Sequence, residues 1–260
     1  MELLYANYVN TTTQIGLQSN TILASNIINP ERQLQYFSDG YDNDLTTTSI
    51  TISFNATTAI SRVALLEHNL KDFQIFYNGA TANYLSLTAG GNTGTANWSA
   101  NSLTSNYLQL AATINVTSLT FDLRKTIVAN NEKAIGHIIV SEVALSFGRL
   151  PNASGYTPNI TPKQVVHTMS DGGIKINTLK EKWSVKLSYQ NIDETNRDLL
   201  KGAYDLHKEF IFVPFGTATG WDKIAFPCVW LGAFGFYKYS SDVGSAGGYT
   251  GSIDLKEVAT

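Results

Sequence analysis

The sequence predicts a mainly β protein of two domains, a β-sandwich first and a strand-rich second half carrying one helix. Three observations predict it. Only 15% of the 260 residues are charged, against about 25% in an average soluble domain, and Thr, Ser and Asn take the polar positions, a composition of strands and turns. Apolar residues alternate with polar ones over short runs bounded by Gly, Asn and Ser clusters, the pattern of half-buried strands. Three of the six prolines fall between Arg149 and Pro162 in a chain of 260 residues, which is longer than most single cores.

In chain order, Asn29-Pro30-Glu31-Arg32 has a capping Asn and a Pro at the first helical position, and so predicts one short helical turn. Ile50, Ile52 and Phe54 alternate with Thr51 and Ser53, and Val63 with Leu65 and Phe73 with Ile75 and Tyr77 continue the period. Further strands follow at Tyr107–Leu110, Ile114–Phe121 and Ile138–Phe147, seven or eight in all, as a sandwich requires. Between Phe73 and Phe121 there is no Asp, Glu, Lys or Arg. That stretch reads either as a surface solvated by hydroxyls and amides or as one that packs on other copies or other proteins. The proline-rich residues 150–162 predict a linker, with one domain over 1–149 and another over 163–260. In the second half, Trp183, Val185, Leu187 and Tyr189 alternate with Ser184, Lys186 and Ser188 as a strand. Asn191 with Glu194 resembles a capping box, and Ile192, Leu199, Ala203, Leu206 and Phe210 recur at helical spacing, predicting a helix over about 192–208. Strands at Phe210–Phe215, Ala225–Leu231, Phe234–Tyr239 and Tyr249–Val258 complete the half.

Composition and motifs exclude several function classes. A net charge of −3 leaves no basic surplus for a phosphate backbone or an anionic membrane, so neither nucleic acid nor membrane insertion is expected. Cys228 stands alone, which excludes an intramolecular disulfide and a cysteine metal site, and its apolar surroundings read as a buried, inert thiol. His68, His137, His167 and His207 form no pair at metal-gripping spacing, and no nucleophile elbow, Walker loop or dinucleotide-binding glycine motif occurs. No cofactor, no metal and no enzymatic activity are expected. The first residues lack a basic segment followed by an apolar one, the pattern of a protein made in a cytoplasm without a classical export signal.

The remaining candidates lie in predicted loops. Asp39-Gly40-Tyr41-Asp42-Asn43-Asp44 alternates Asp with turn residues, but it has Asp44 and Ile50 where a calcium loop of the EF-hand type needs Gly and Glu. Turn chemistry, a weak calcium site and a ligand-facing loop all stay open. Glu67-His68 near a strand end reads as surface polarity ahead of an acid/base pair. Tyr36, Tyr41 and Trp98 are aromatics in predicted loops that suit stacking on the apolar face of a sugar, with Asp39 as a neighbouring carboxylate. The aromatics Trp183, Phe212, Phe215, Phe226, Trp230, Phe234 and Phe236 lie in strand patterns and read as core or interface.

The stretch Ser38–Asp44 followed by Thr51-Ile52-Ser53-Phe54, then Ile60–Leu66, Phe73–Tyr77 and the closing Val140-Ser141-Glu142-Val143-Ala144-Leu145 resembles the discoidin or galactose-binding-like jelly roll. The resemblance covers about 110 residues and implies a jelly-roll sandwich with a ligand-facing loop end. The second half, with Trp183–Tyr189, the capped helix, His207–Phe215 and Gly251–Val258, is similar to minor tail proteins of tailed bacteriophages. It implies a tail-tube-like β-sandwich with one helix that builds rings. Together these resemblances imply a structural virion component of a phage tail tip or baseplate, assembled in the bacterial host cytoplasm. It would form a ring-shaped homo-oligomer through its C-terminal domain, contact other tail proteins, and present the jelly roll, whose candidate contacts with a host-surface glycan are Tyr36, Asp39, Tyr41 and Trp98. The alternative is a carbohydrate-binding adhesin or lectin module, and a further one is a glycan hydrolase using Asp39 or Asp42.

Overall fold

The structure is a computed structural model and describes residues 1–5, 7–9, 14–17, 25–28, 36–38, 44–79, 83–89, 94–147, 151, 155–161, 164–168, 174–178, 182–214, 225–238 and 248–258. The protein is mainly β, and its contacts divide it into two compact units.

The first unit is centred on Leu4–Val143. After β1 (Glu2–Leu4), which belongs to the other sheet, come β2 (Gln14–Leu17), a single helical turn α1 (Ser25–Ile28), β3 (Tyr36–Phe37), β4 (Thr48–His68), β5 (Leu70–Tyr77), β6 (Leu87–Ala89), β7 (Asn97–Trp98), β8 (Asn106–Thr126) and β9 (Ala134–Ser141). The helical turn expected at Asn29–Arg32 lies outside the described residues. The apolar runs expected as separate strands at 50–54 and 60–66 are one 21-residue strand, β4, and those at 107–110 and 114–121 are likewise merged in β8. Both are bent where their mutual register slips, between Ser53 and Thr58 and between Ile60 and Arg62, because bulges let a strand turn a corner. Within one eight-stranded sheet that runs β3-β9-β4-β8-β5-β7, with β2 on β4 and β6 on β8, their two halves therefore take different partners. Thr48–Ser53 and Ser118–Leu123 pair with each other and with β2 and β5, and β7 follows beyond β5. Arg62–Leu65 and Asn106–Gln109 pair with each other and are flanked by β9, β3 and β6. The core of this unit holds Ile50, Ile52, Val63, Leu65, Phe73, Ile75, Leu108, Phe121, Leu123 and Ile138, all fully buried. Each such side chain contributes about 1.5–3 kcal/mol by leaving water. Thr51 and Ser53 stay half-exposed on the other side of the strand, as the alternation requires.

The second unit comprises Met1–Leu3, Ala144–Phe212 and Ala225–Ala259. Its elements are β10 (Val143–Ser146), β11 (Tyr156–Thr161), β12 (Gln164–Thr168), β13 (Ile174–Thr178), β14 (Lys182–Ile192), α2 (Glu194–Asp205), β15 (Phe210–Val213), β16 (Phe226–Lys238) and β17 (Tyr249–Glu257). A seven-stranded sheet runs β10-β1-β15-β16-β17-β14-β11, and β12 and β13 form a separate two-stranded ribbon. One face of the sheet and α2 enclose Trp183, Val185, Leu187, Tyr189, Leu200, Ala203, Phe210, Phe212, Phe226, Cys228, Ile253 and Leu255.

Three sequence expectations need correction here. Met1–Leu3 and Ala144–Phe147, expected in the first domain (1–149), belong to the second unit. Residues 156–161 of the expected linker are a strand, β11, paired with β14 from Tyr156–Leu187 to Thr161–Lys182. Pro158 is accommodated because β11 ends the sheet, where a missing N–H leaves no neighbouring strand short of a bond. The helix begins two residues later than the spacing suggests, because Ile192 is buried as the last residue of β14 and Asp193, not Asn191, is the cap. The Asp193 carboxylate accepts from the Asn196 N–H at 2.7 Å. The buried stripe consists of Leu200 and Ala203, while Leu199 is 51% exposed.

Candidate functional site

The end of the sandwich where β4 passes into β5 collects chain segments that are far apart in sequence. Its centre is His68. The Leu70 N–H donates to His68 Nδ1 at 3.1 Å, so that nitrogen carries no proton, and Nε2–H therefore donates to Asn106 Oδ1 at 2.8 Å. Asn106 Nδ2 in turn donates to Asn101 Oδ1 at 3.3 Å. Asn101 is saturated, since Nδ2 donates to the carbonyls of Leu70 at 2.8 Å and Leu103 at 2.7 Å, and Oδ1 also accepts from the Leu103 N–H at 3.3 Å. Burial holds the imidazole neutral and pushes its pKa down to about 4, with the Asn106 bond opposing the shift. The Glu67-His68 pair thus divides: His68 is an interior network residue and only Glu67 is exposed. Sequence reading placed both at the surface because it cannot tell which side of a strand end faces inward.

Asn69 and Asp44 extend the network to neighbouring loops. Asn69 Nδ2 donates to the Glu132 carbonyl at 2.6 Å, its Oδ1 accepts from the Ala134 N–H at 2.9 Å, and its carbonyl accepts from the Ile127 N–H at 2.7 Å. Asp44 Oδ1 accepts from the Thr126 N–H at 3.1 Å, and the Asp44 N–H donates to Asn130 Oδ1 at 3.2 Å. Asp44 is therefore a loop staple. Among the described residues no group of three or more His, Cys, Asp and Glu is placed to hold a metal.

The four sequence-predicted glycan contacts fare differently. Asp39 and Tyr41, like Asp42, lie outside the described residues. Tyr36 and Trp98 belong to this unit, but both are in its core. Tyr36 is fully buried, and desolvation raises its phenol pKa. Trp98 is 6% exposed, with its ring stacked on Phe73 at 4.3 Å, and Phe73 meets His68 edge-on at 5.5 Å. Neither ring has an open face for a sugar. The aromatic that sequence reading passed over is Phe37, 38% exposed on the outer side of β3, where strand alternation places it because its neighbour Tyr36 points into the core. Beside it on β9 are Ala134, directly opposite Phe37, and Gly136, both buried. A methyl group on Gly136 would lie 2.8 Å from Glu67 Cβ and 3.2 Å from Glu67 Oε2, so the Glu67 side chain lies over that glycine. Glu67 takes a left-handed backbone, φ 54°, a conformation unfavourable for any residue with a Cβ other than Asn or Asp.

No protein-family model matches the chain, and no curated protein matches it. Among solved structures it is similar to the family 32 carbohydrate-binding module of NanJ from C. perfringens in complex with galactose, at 12% identity and a TM-score of 0.39 over 55% of this chain and 100% of that one. It is also similar to CBM32-1 from a family 31 glycoside hydrolase of Clostridium perfringens, at 15% identity and a TM-score of 0.40 over 53% of this chain and 99% of that one. A third similarity, to SpGH29, has 8% identity and a TM-score of 0.39, and it covers 54% of this chain but only 29% of that protein.

Proposed function

We propose that this chain is a non-enzymatic binding protein whose sandwich recognises carbohydrate at the loop end described above. The observation that carries the reading is the convergence there of Asp44, Glu67–Asn69, Asn101–Asn106 and Thr126–Ala134 through side-chain hydrogen bonds. A surface fixed before its ligand arrives loses little conformational freedom on binding. Its exposed side chains include Ser102, Thr104, Asn130, Asn131 and Glu132, hydroxyls, amides and a carboxylate that both donate to and accept from the hydroxyls of a sugar. A glycan array probed with the full chain tests the reading. Retention on a subset of glycans, competed by the free sugar, is expected, and an array with no competable signal refutes it.

A second reading, a structural subunit of a tailed phage's tail tip that assembles through its C-terminal unit, is favoured by β16. Phe226–Tyr237 contains no charged residue. Among the described residues β15 pairs with β16 only from Phe226 to Cys228, and beyond that Leu231 and Tyr237 are exposed, at 43% and 73%. An uncharged, partly unpaired strand is a template for association. Native mass spectrometry of the full chain tests it, with closed homo-oligomers expected and a monomer at high concentration as the contrary result.

A further inference from the structure

Three features at the loop end lie side by side on the outer face of β3, β9 and β4: a part-exposed aromatic ring, a backbone-strained carboxylate residue and a glycine that cannot be anything larger. The placement follows from register. Phe37 is opposite Ala134 on one flank of β9, and Glu67, on β4, leans over Gly136 from the other flank. Ala134 and Gly136 are two residues apart, about 7 Å along a strand. Glu67 is held from behind by its own N–H, which donates to Ser105 Oγ at 2.9 Å. Among the described residues its carboxylate has no hydrogen-bond or ion-pair partner. Strained backbone of this kind persists where the surrounding structure enforces it, and it gathers at sites that bind. At this position an Asn or Gly would adopt the same backbone at little cost, so nothing in the turn itself calls for a glutamate.

We propose that Glu67 and Phe37, exposed on the two flanks of β9, form the sugar-contacting pair of this protein, with a neutral, hydroxyl-rich hexose ring held between them. The inference rests on the carbohydrate reading above and names the site within it. The apolar face of the sugar stacks on the Phe37 ring, as aromatic faces accept apolar surface. The Glu67 carboxylate accepts from ring hydroxyls, and bonds to a charged acceptor are the stronger kind. Gly136 leaves room for the Glu67 side chain to lie close to β9.

The test is isothermal titration of the full chain with the best sugar from a neutral-hexose panel, alongside Glu67→Gln, Phe37→Ala and Glu67→Gly. Glu67→Gln and Phe37→Ala are each expected to weaken binding about tenfold or more with unchanged melting temperature for the exposed Glu67→Gln change. Glu67→Gly is expected to abolish the carboxylate's contribution while raising the melting temperature by about 2–4 °C, because it releases the left-handed strain. Sugar binding that both Glu67→Gln and Phe37→Ala leave unchanged overturns this site and leaves the carbohydrate reading standing. Failure of the unaltered chain to bind any sugar of the panel or the array overturns both.

Discussion

Acidification should destabilise the sandwich through His68. Folded, its imidazole keeps Nδ1 unprotonated to accept from the Leu70 N–H, and its pKa lies at about 4, against an ordinary value of 6.5. The unfolded chain therefore takes up a proton at this residue between pH 6.5 and 4 that the folded chain refuses, so stability is full above pH 6.5 and falls as the pH drops through that window. Integrated from pH 7 to 4.5 with a folded value of about 4, the loss is about 2–3 kcal/mol. Urea unfolding at a series of pH values, compared between the natural chain and His68→Gln, isolates this contribution because the remaining titratable groups are common to both. Gln keeps a donor for Asn106 but loses the acceptor for Leu70, so the variant should be less stable at pH 7 and should show a shallower fall below pH 6.5. Equal slopes in the two proteins, or a His68 resonance titrating near 6.5 in the folded chain, would refute the argument.

Two other perturbations follow from packing and capping. Trp98→Ala removes a ring stacked on Phe73 in the core and should cost about 3–5 kcal/mol in urea unfolding, where a surface platform would cost almost nothing. Asp193→Ala deprives the Asn196 N–H of its cap and should cost about 1 kcal/mol, read from the same transitions.

Much of the sandwich was legible because its core strands keep a strict alternation: Ile50 and Ile52 are buried with Thr51 and Ser53 between them, as the pattern predicts. The sheet order of the second unit was not, because β1 and β10 come to it from the two ends of a segment of about 140 residues, and no local pattern marks such a partner. Prolines suggested a linker at 150–162, but Pro158 marks the end of a sheet rather than the end of a domain. The helix was legible within a few residues, and its buried stripe slipped by one position because Leu199 and Leu200 are chemically alike and only packing chooses between them. At the candidate site, sequence reading singled out Tyr36, whose ring is buried, and passed over its exposed neighbour Phe37. Period-two alternation says that Tyr36 and Phe37 face opposite ways without saying which faces water. The asparagines that hold the loops were invisible, since Asn is common throughout this chain and its partners here are remote, as Asn69 is from Glu132.

Carbohydrate binding at the loop end of the sandwich can be located by titrating the isotope-labelled full chain with a retained sugar and following backbone amide resonances. Shifts concentrated on residues 67–69, 101–106 and 126–137 with Phe37 are expected. Shifts confined to the opposite end of the sandwich, around Asn55–Thr57 and Ala111–Thr113, or to the helix-bearing unit, would contradict it.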